Sequence, residues 1–166
     1  MSKVDNLHDL FVMEISDIYN AEKQLTKALP KMAKHATDAK LKAGFEKHLA
    51  ETENQIAKLD KVAELCDIKF KSVTCEAMKG LVKEGGEAWD EFEKGPVLDC
   101  ALIIAAQKVE HYEISGYGSL CALAEKLDYS DAIKILREIQ EQEVSTDEKL
   151  TELSKTINQQ AYKAAA

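Results

Sequence analysis

The chain contains few residues that interrupt regular secondary structure, with only two prolines and seven glycines among its 166 residues. Aromatic residues make up just 6% of it, whereas hydrophobic residues as a whole make up 45%. This composition excludes a disordered or fibrous protein, and its richness in Ala, Leu, Lys and Glu is typical of helical proteins. A chain of this length encloses one substantial core, so we expect a single domain over residues 1–166.

Long hydrophobic runs are also missing. The longest apolar stretch, Cys100 to Ala106, is far shorter than the roughly 20 residues that a membrane-spanning helix needs, and no apolar run follows Met1. We therefore expect a cytoplasmic protein with no membrane partner. Lys and Arg together number 22 against 30 Asp and Glu, and the resulting charge of −8 disfavours nucleic-acid binding and suits a protein that binds cations.

Cysteines are few and show no pairing pattern. Cys66, Cys75, Cys100 and Cys121 form no CxxC pair and have no zinc-finger spacing, so we predict that all four are reduced. Cys66 and Cys121 fall near apolar helix faces, where a thiol packs as a small hydrophobic group.

Apolar residues recur every three or four positions over four long segments, which predicts four long helices. We place these helices at about residues 5–36, 39–66, 96–127 and 131–157, with residues 159–166 as a frayed tail. Pro30 predicts a bend in the first helix, not necessarily a break. Thr37 and Asp38 can cap the second helix after a tight turn, so the first two helices should form an antiparallel pair.

A connector of about 29 residues, from Asp67 to Gly95, separates the two helical pairs. It contains a short amphipathic helix at about residues 76–84, which we expect Gly85 and Gly86 to end. The connector is long enough to return the chain to the other end of a bundle. The sequence thus predicts an all-α fold, a ferritin-like four-helix bundle with a long crossover that carries a short fifth helix.

Glutamates interrupt the apolar columns near the middle of these helices. Residues seven apart share a helix face, and the columns contain Glu22 between Ile15 and Leu29, Glu110 between Ile103 and Tyr117, Glu113 between Ala106 and Leu120, and Glu143 between Leu136 and Leu150. An unpaired carboxylate in an apolar interior costs on the order of several kcal/mol. The acids must therefore be protonated, bound to metal, or paired with lysines such as Lys23, Lys108 or Lys149.

Glu51 on the second helix extends this set of acids. It lies 29 residues after Glu22, and Glu143 lies 30 residues after Glu113, so each helical hairpin presents two acids at one level. Packed helices lie about 8–10 Å apart, and glutamates at one level can therefore share a cation site. The template for such a site takes one Glu from each of two helices and Glu-x-x-His from each of the other two.

The imidazoles of that template are missing, since Asn54 and Thr146 stand three residues after Glu51 and Glu143. Replacements within one helical turn are His48, Gln55 and Asp147. The apolar stripe of the second helix places His48 and Gln55 inside and Glu51 nearer the flank, so the ligand from this helix is either His48 or Glu51. Tyr19 and Tyr117 are either hydrogen-bond donors to the acids or plain core residues.

Several stretches of the chain resemble the YciE/YciF family of ferritin-like bacterial stress proteins. They are DIYNAEKQL at 17–25, HLAETENQ at 48–55, CEAMKG at 75–80, QKVEHYEISGY at 107–117 and the stretch 143–150. The resemblance covers nearly the whole chain. It implies a stress-induced protein that forms a homodimer of four-helix bundles.

More distantly, the five glutamates Glu22, Glu51, Glu110, Glu113 and Glu143 resemble those of a rubrerythrin-type di-iron site. That resemblance implies two metal ions per bundle. Without the two imidazoles the ligands are mostly oxygens. This should weaken iron retention and raise the affinity of the site for Mn²⁺, Mg²⁺ and Ca²⁺ relative to iron. The chain also lacks the rubredoxin-like cysteines that deliver electrons in rubrerythrins, which argues against a peroxidase.

The leading hypothesis is a cytoplasmic stress protein with a carboxylate-rich, dinuclear iron or manganese site and a redox role. Its predicted ligands are Glu22, Glu51, Glu110, Glu113 and Glu143, supplemented by His48, Gln55 and Asp147; no catalytic residue is identified. The alternative is a metal-free helical dimer that acts as a structural or interaction protein, in which buried acids fix the register of the bundle. A mini-ferritin that stores iron mineral is a third hypothesis.

Overall fold

The computed structural model describes residues 4–164, which form five helices and no strand. The helices are α1 (Leu7–His35), α2 (Ala39–Leu65), α3 (Glu76–Glu91), α4 (Pro96–Lys126) and α5 (Ser130–Ala164). No helix within residues 4–164 is long and apolar enough to span a membrane. The predicted all-α fold is confirmed.

The four long helices pack as a bundle in which α1 and α5 each contact both α2 and α4. Short turns make α1–α2 and α4–α5 two antiparallel hairpins, and residues 66–95 cross from one hairpin to the other. Helix α3 lies in this crossover and packs on α4 and α1. The predicted long crossover with a fifth helix is therefore present.

Buried Asp99 fixes the start of α4 against the turn between α1 and α2. Its carboxylate accepts hydrogen bonds from the main-chain N–H groups of Thr37 and Asp38, both at 2.8 Å, and from the Thr37 hydroxyl at 2.5 Å. Asp38 in turn caps α2, because its side chain accepts from Lys40 and Leu41 N–H at 2.9 Å. The two hairpins are thus locked together at this end of the bundle.

Two helix ends differ from the sequence prediction. Helix α3 does not end at Gly85 and Gly86 but continues to Glu91, since buried Ala88 and half-buried Trp89 pack against the bundle and outweigh the low helix propensity of glycine. Gly85 also suits its place, because a Cβ there would lie 3.2 Å from the Cβ of Ala105. Helix α5 runs past Ile157 to Ala164, so the tail predicted as frayed is helical as far as that residue.

The crossover is attached to α1 by three polar side chains spaced four residues apart. The Ser16 hydroxyl accepts from Lys71 N–H at 2.9 Å, and the Asn20 side-chain oxygen accepts from Cys75 N–H at 2.8 Å. The Gln24 amide donates to the Cys75 carbonyl at 3.0 Å. All three partners are main-chain groups, and together they position the start of α3.

The apolar core consists of two clusters at different heights of the bundle. One includes Leu41, Leu102 and Leu150, and the other includes Phe11 and Leu136. In each long helix, a short stretch of buried polar residues falls between the two clusters. Six of the eight predicted site residues lie among these buried polar residues.

Candidate metal centre

Polar side chains from all four long helices form one layer between the two apolar clusters. Its members are at most 4% exposed, and they are Glu22 from α1, His48, Thr52 and Gln55 from α2, Glu110 and Glu113 from α4, and Glu143 from α5. The spacing of three residues puts both acids of α4 on one helix face. The bundle therefore buries four carboxyl groups at one level.

Four of these residues converge on a common point. His48, Glu110, Glu113 and Glu143 each have one potential ligand atom, and these four atoms all lie within 4.8 Å of one another. Two ligands on opposite sides of an ion lie about 4 Å apart, because metal–ligand distances are about 2.0–2.2 Å. Glu22 lies beside Glu113, and each carboxyl group perturbs the other. We call Glu22, His48, Glu110, Glu113 and Glu143 the carboxylate cluster.

The layer is rich in polar atoms that have no hydrogen-bond partner. Within residues 4–164, nine buried side-chain atoms lack one: both carboxyl oxygens of Glu113, one oxygen each of Glu22, Glu110 and Glu143, both ring nitrogens of His48, the Thr52 hydroxyl and the Gln55 amide oxygen. His48 Nε2 lies 3.2 Å from Glu110 Oε1, which is an ion-pair distance without hydrogen-bond geometry. So many unpartnered groups in one place are unusual for a folded protein.

Lysines do not neutralise these acids. No Lys or Arg is among the buried residues of the described chain. Lys108 instead pairs at the surface with Glu84, at 2.8 Å. Salt bridges to lysine are therefore not the explanation for the buried acids.

Burial changes the protonation of the cluster. It raises the pKa of Glu22 to about 7, and burial together with the neighbouring acids raises the pKa values of Glu113 and Glu143 well above their usual range. Burial alone would lower the pKa of His48, but the neighbouring carboxylates of Glu110, Glu51 and Glu143 together outweigh it and raise that pKa well above its ordinary value. The metal-free cluster therefore holds protons that a cation would have to displace.

Two side chains outside the cluster orient its acids. The Tyr117 hydroxyl donates a hydrogen bond to Glu22 Oε1, and Gln55 Nε2 lies 2.5 Å from Glu143 Oε1. Tyr19 does not take part, because its ring stacks on Phe70 with 4.0 Å between ring centroids. Of the two tyrosines considered from the sequence, only Tyr117 contacts an acid.

Two predicted ligands lie outside the buried polar layer. Glu51 is 26% exposed and pairs with Lys47 at 3.2 Å, while its other oxygen lies 3.9 Å from His48 Nδ1. Asp147 is 19% exposed and pairs with His111 at 3.2 Å. Helix α2 thus presents His48 and Gln55 to the cluster and keeps Glu51 at its flank, as the apolar stripe indicates. Metal binding by any of these residues remains a prediction.

Sequence reasoning missed Thr52 as a member of the polar layer. This residue is fully buried between the levels of His48 and Gln55, and its hydroxyl has no hydrogen-bond partner. The missed signal was its position four residues after His48, which puts both side chains on the same face of α2.

The chain matches a known family over almost its full length. Residues 6–163 match the family described as a domain of unknown function, DUF892. Protein YciF of Escherichia coli strain K12 is 47% identical over 161 residues, which make up 96% of this chain and 97% of YciF.

Solved structures agree with this match. The crystal structure of the E. coli stress protein YciF superposes with a TM-score of 0.92 at 46% identity, covering 94% of this chain and 99% of that one. YcfI of Rhodopseudomonas palustris, whose description proposes a structural role, has a TM-score of 0.86 at 42% identity over 90% and 95% of the two chains. A Xanthomonas campestris protein with 20% identity shares the fold, with a TM-score of 0.75 over 96% and 99%. The chain therefore belongs to the DUF892 family and is a relative of the stress protein YciF, as its resemblance to the YciE/YciF family predicts.

Proposed function

We propose that the chain is a cytoplasmic, ferritin-like stress protein that binds one or two iron or manganese ions in the carboxylate cluster and has a redox role. The stress context comes from its relative YciF. The observation that carries the proposal is the set of nine buried polar atoms without hydrogen-bond partners, in a part of the described chain where no Lys or Arg is buried. A divalent cation would satisfy these atoms and balance the charge of the acids.

The donor set suits a first-row transition metal. Four carboxyl groups supply hard oxygen donors, and His48 adds a nitrogen donor that Fe²⁺ and Mn²⁺ accept more readily than Mg²⁺ or Ca²⁺ do. Iron or manganese bound there would supply the electrons for reducing a small oxidant. Tyr117 and Gln55 would hold Glu22 and Glu143 in position, and the two apolar clusters would keep bulk water away.

Metal loading with matched variants tests the proposal. The protein is stripped with chelator, loaded anaerobically with Fe²⁺ or Mn²⁺, desalted, and examined by elemental analysis and thermal denaturation. We expect one or two ions per chain and a higher melting temperature that chelator reverses. Glu113→Gln should lose bound ion, whereas Glu148→Gln, at an exposed position of α5, should retain it. No bound metal and an unchanged melting temperature in the wild-type protein would refute the proposal.

Anomalous scattering from crystals grown with each ion would locate, count and identify the bound metal. Light scattering on the same protein measures its mass. The expected homodimer is twice the mass of the 166-residue chain.

A structural role without metal is the second candidate, because the description of YcfI proposes one and because protonated acids can stay buried without a cation. The variant Glu143→Leu separates the two candidates. In a metal-free structural protein this change leaves stability unchanged or raises it, since an apolar side chain replaces a buried acid. In a metal protein it abolishes binding of at least one ion and the stabilisation that this ion provides.

A further inference from the structure

A narrow cavity of about 60 Å³ reaches the carboxylate cluster between α2, α4 and α5. His48 and Glu110 line its buried end, and Glu51, Lys47 and Lys149 line its exposed end. One water needs at least about 10–15 Å³ of such space, so the cavity has room for a few waters or a partly hydrated ion.

The walls between the two ends of the cavity are apolar. Phe45, Ala106 and Leu150 form much of them. A divalent cation that loses part of its hydration shell here needs a compensating negative charge close by. The carboxylate available at the exposed end is that of Glu51, since the other charged side chains lining that end, Lys47 and Lys149, are positive.

The cavity passes three side chains on the way from the surface to the cluster, in the order Glu51, His48 and Glu110. One Glu51 oxygen lies 3.9 Å from His48 Nδ1, and the opposite ring nitrogen of His48 lies 3.2 Å from Glu110 Oε1. Both ring nitrogens lack a hydrogen-bond partner, although the side chain is only 4% exposed. The imidazole thus turns one nitrogen toward Glu51 at the cavity mouth and the other toward Glu110 in the cluster.

We propose that Glu51, at the mouth of the cavity that leads past His48, is a transit site for divalent cations, and that Glu51 exchanges its partner Lys47 for the incoming ion. The inference rests on the proposed metal function and assigns Glu51 to delivery, not to the bound state. Lys47 holds the Glu51 carboxylate at 3.2 Å until a divalent cation, with its higher charge, displaces the ammonium group. The ion then passes along His48 to Glu110 and the buried acids.

Rapid mixing of metal-free protein with Mn²⁺ tests this proposal, because the electron paramagnetic resonance signal of free Mn²⁺ falls as the ion binds. We expect Glu51→Gln to load at least about tenfold more slowly than the wild-type protein. Its final ion count and final gain in melting temperature should be unchanged. Glu53→Gln removes the same charge from an exposed position on the same helix and should load at the wild-type rate.

The lysines provide a second comparison. Lys47→Ala frees Glu51 and should load several-fold faster than the wild-type protein. Lys149→Ala removes the same charge from the cavity mouth but frees no described carboxylate, so it should accelerate loading less.

Three results would overturn the transit site. Glu51→Gln could lose an ion at equilibrium, which would make Glu51 a ligand of the bound metal. It could also load at the wild-type rate, or Lys47→Ala and Lys149→Ala could accelerate loading equally. If the wild-type protein takes up neither Mn²⁺ nor Fe²⁺, the proposed function fails first and the transit site fails with it.

Discussion

The side-chain amide of Gln55 lies 2.5 Å from a carboxyl oxygen of Glu143 and joins α2 to α5 within the polar layer. The same amide nitrogen lies 3.2 Å from Gln142 Oε1. We predict that Gln55→Leu destabilises the metal-free protein by about 1–3 kcal/mol, because it leaves a buried acceptor without its donor. Metal affinity should fall about 10–100-fold, since the orientation of Glu143 is lost.

Urea denaturation and metal titration measure these two effects. Gln142→Leu is the matched control, because it removes only the outer, half-buried acceptor of the same amide. Its effects should be clearly smaller. Equal effects of the two variants would show that the contact with Glu143 has no special importance.

Tyr117 should matter for metal binding, whereas Tyr19 should not. Removing the hydroxyl in Tyr117→Phe takes away the donor to Glu22 and should lower metal affinity about tenfold or more, with about 1–3 kcal/mol lost from metal-free stability. Tyr19→Phe keeps the ring that stacks on Phe70 and should leave metal affinity unchanged. Isothermal titration with Mn²⁺ compares the two variants, and a similar loss in both would contradict the assigned role of Tyr117.

The metal-free protein should become less stable as the pH rises from about 5 to 8. The pKa of Glu22 rises from 4.5 to about 7 on folding, and those of Glu113, Glu143 and His48 are raised as well. The folded protein therefore binds protons more tightly than the unfolded chain, and this stability is lost as those protons dissociate. His48 and Lys47 lower the pKa of Glu51 to about 2. The stability that Glu51 contributes is therefore lost only at pH values below the range of 5 to 8.

The stabilisation that bound metal provides should have the opposite pH dependence, because metal binding needs deprotonated ligands. Melting temperatures at constant ionic strength should therefore show a gap between loaded and metal-free protein that widens with pH. Glu113→Gln removes one of the titrating acids and should flatten the metal-free profile. A metal-free protein that is more stable at pH 8 than at pH 5 would contradict this prediction.

A substitution at Asp99 should lower folding stability without affecting the metal site. Asp99→Ala removes the acceptor of three hydrogen bonds from Thr37 and Asp38 and should cost about 2–3 kcal/mol. Because Asp99 does not belong to the carboxylate cluster, the number of bound metal ions should not change. Denaturation and elemental analysis on the same sample measure both quantities, and loss of metal from this variant would contradict its purely structural role.

Periodicity was sufficient to predict which glutamates are buried. Residues seven apart lie on one side of a helix, so the columns through Glu22, Glu110, Glu113 and Glu143 point into the bundle, and all four side chains are at most 1% exposed. On α2 the same pattern indicated His48 and Gln55, while the di-iron template indicated Glu51. The buried residues are those that the pattern favours, because packing against neighbouring helices sets the rotation of α2.

Features that depend on distant parts of the chain could not be predicted in this way. Asp99 binds the turn at Thr37 across 62 residues, and nothing near either residue indicates the other. The continuation of α3 through Gly85 and Gly86 likewise depends on tertiary packing, which overrides local propensity. The distance between Glu51 and the cluster also depends on the rotation of α2 about its own axis. Counting the residues between two acids does not reveal this rotation.

The attachment of the crossover to Ser16, Asn20 and Gln24 has a consequence for how this part of the protein can vary. These side chains bind peptide groups, which every residue except proline offers in full. The exposed residues 71–74 of the loop before α3 can therefore vary while the anchors stay in place, whereas Cys75 is buried in the core. Related chains could diversify their outer surface here without disturbing buried Glu22 on the inner side of α1.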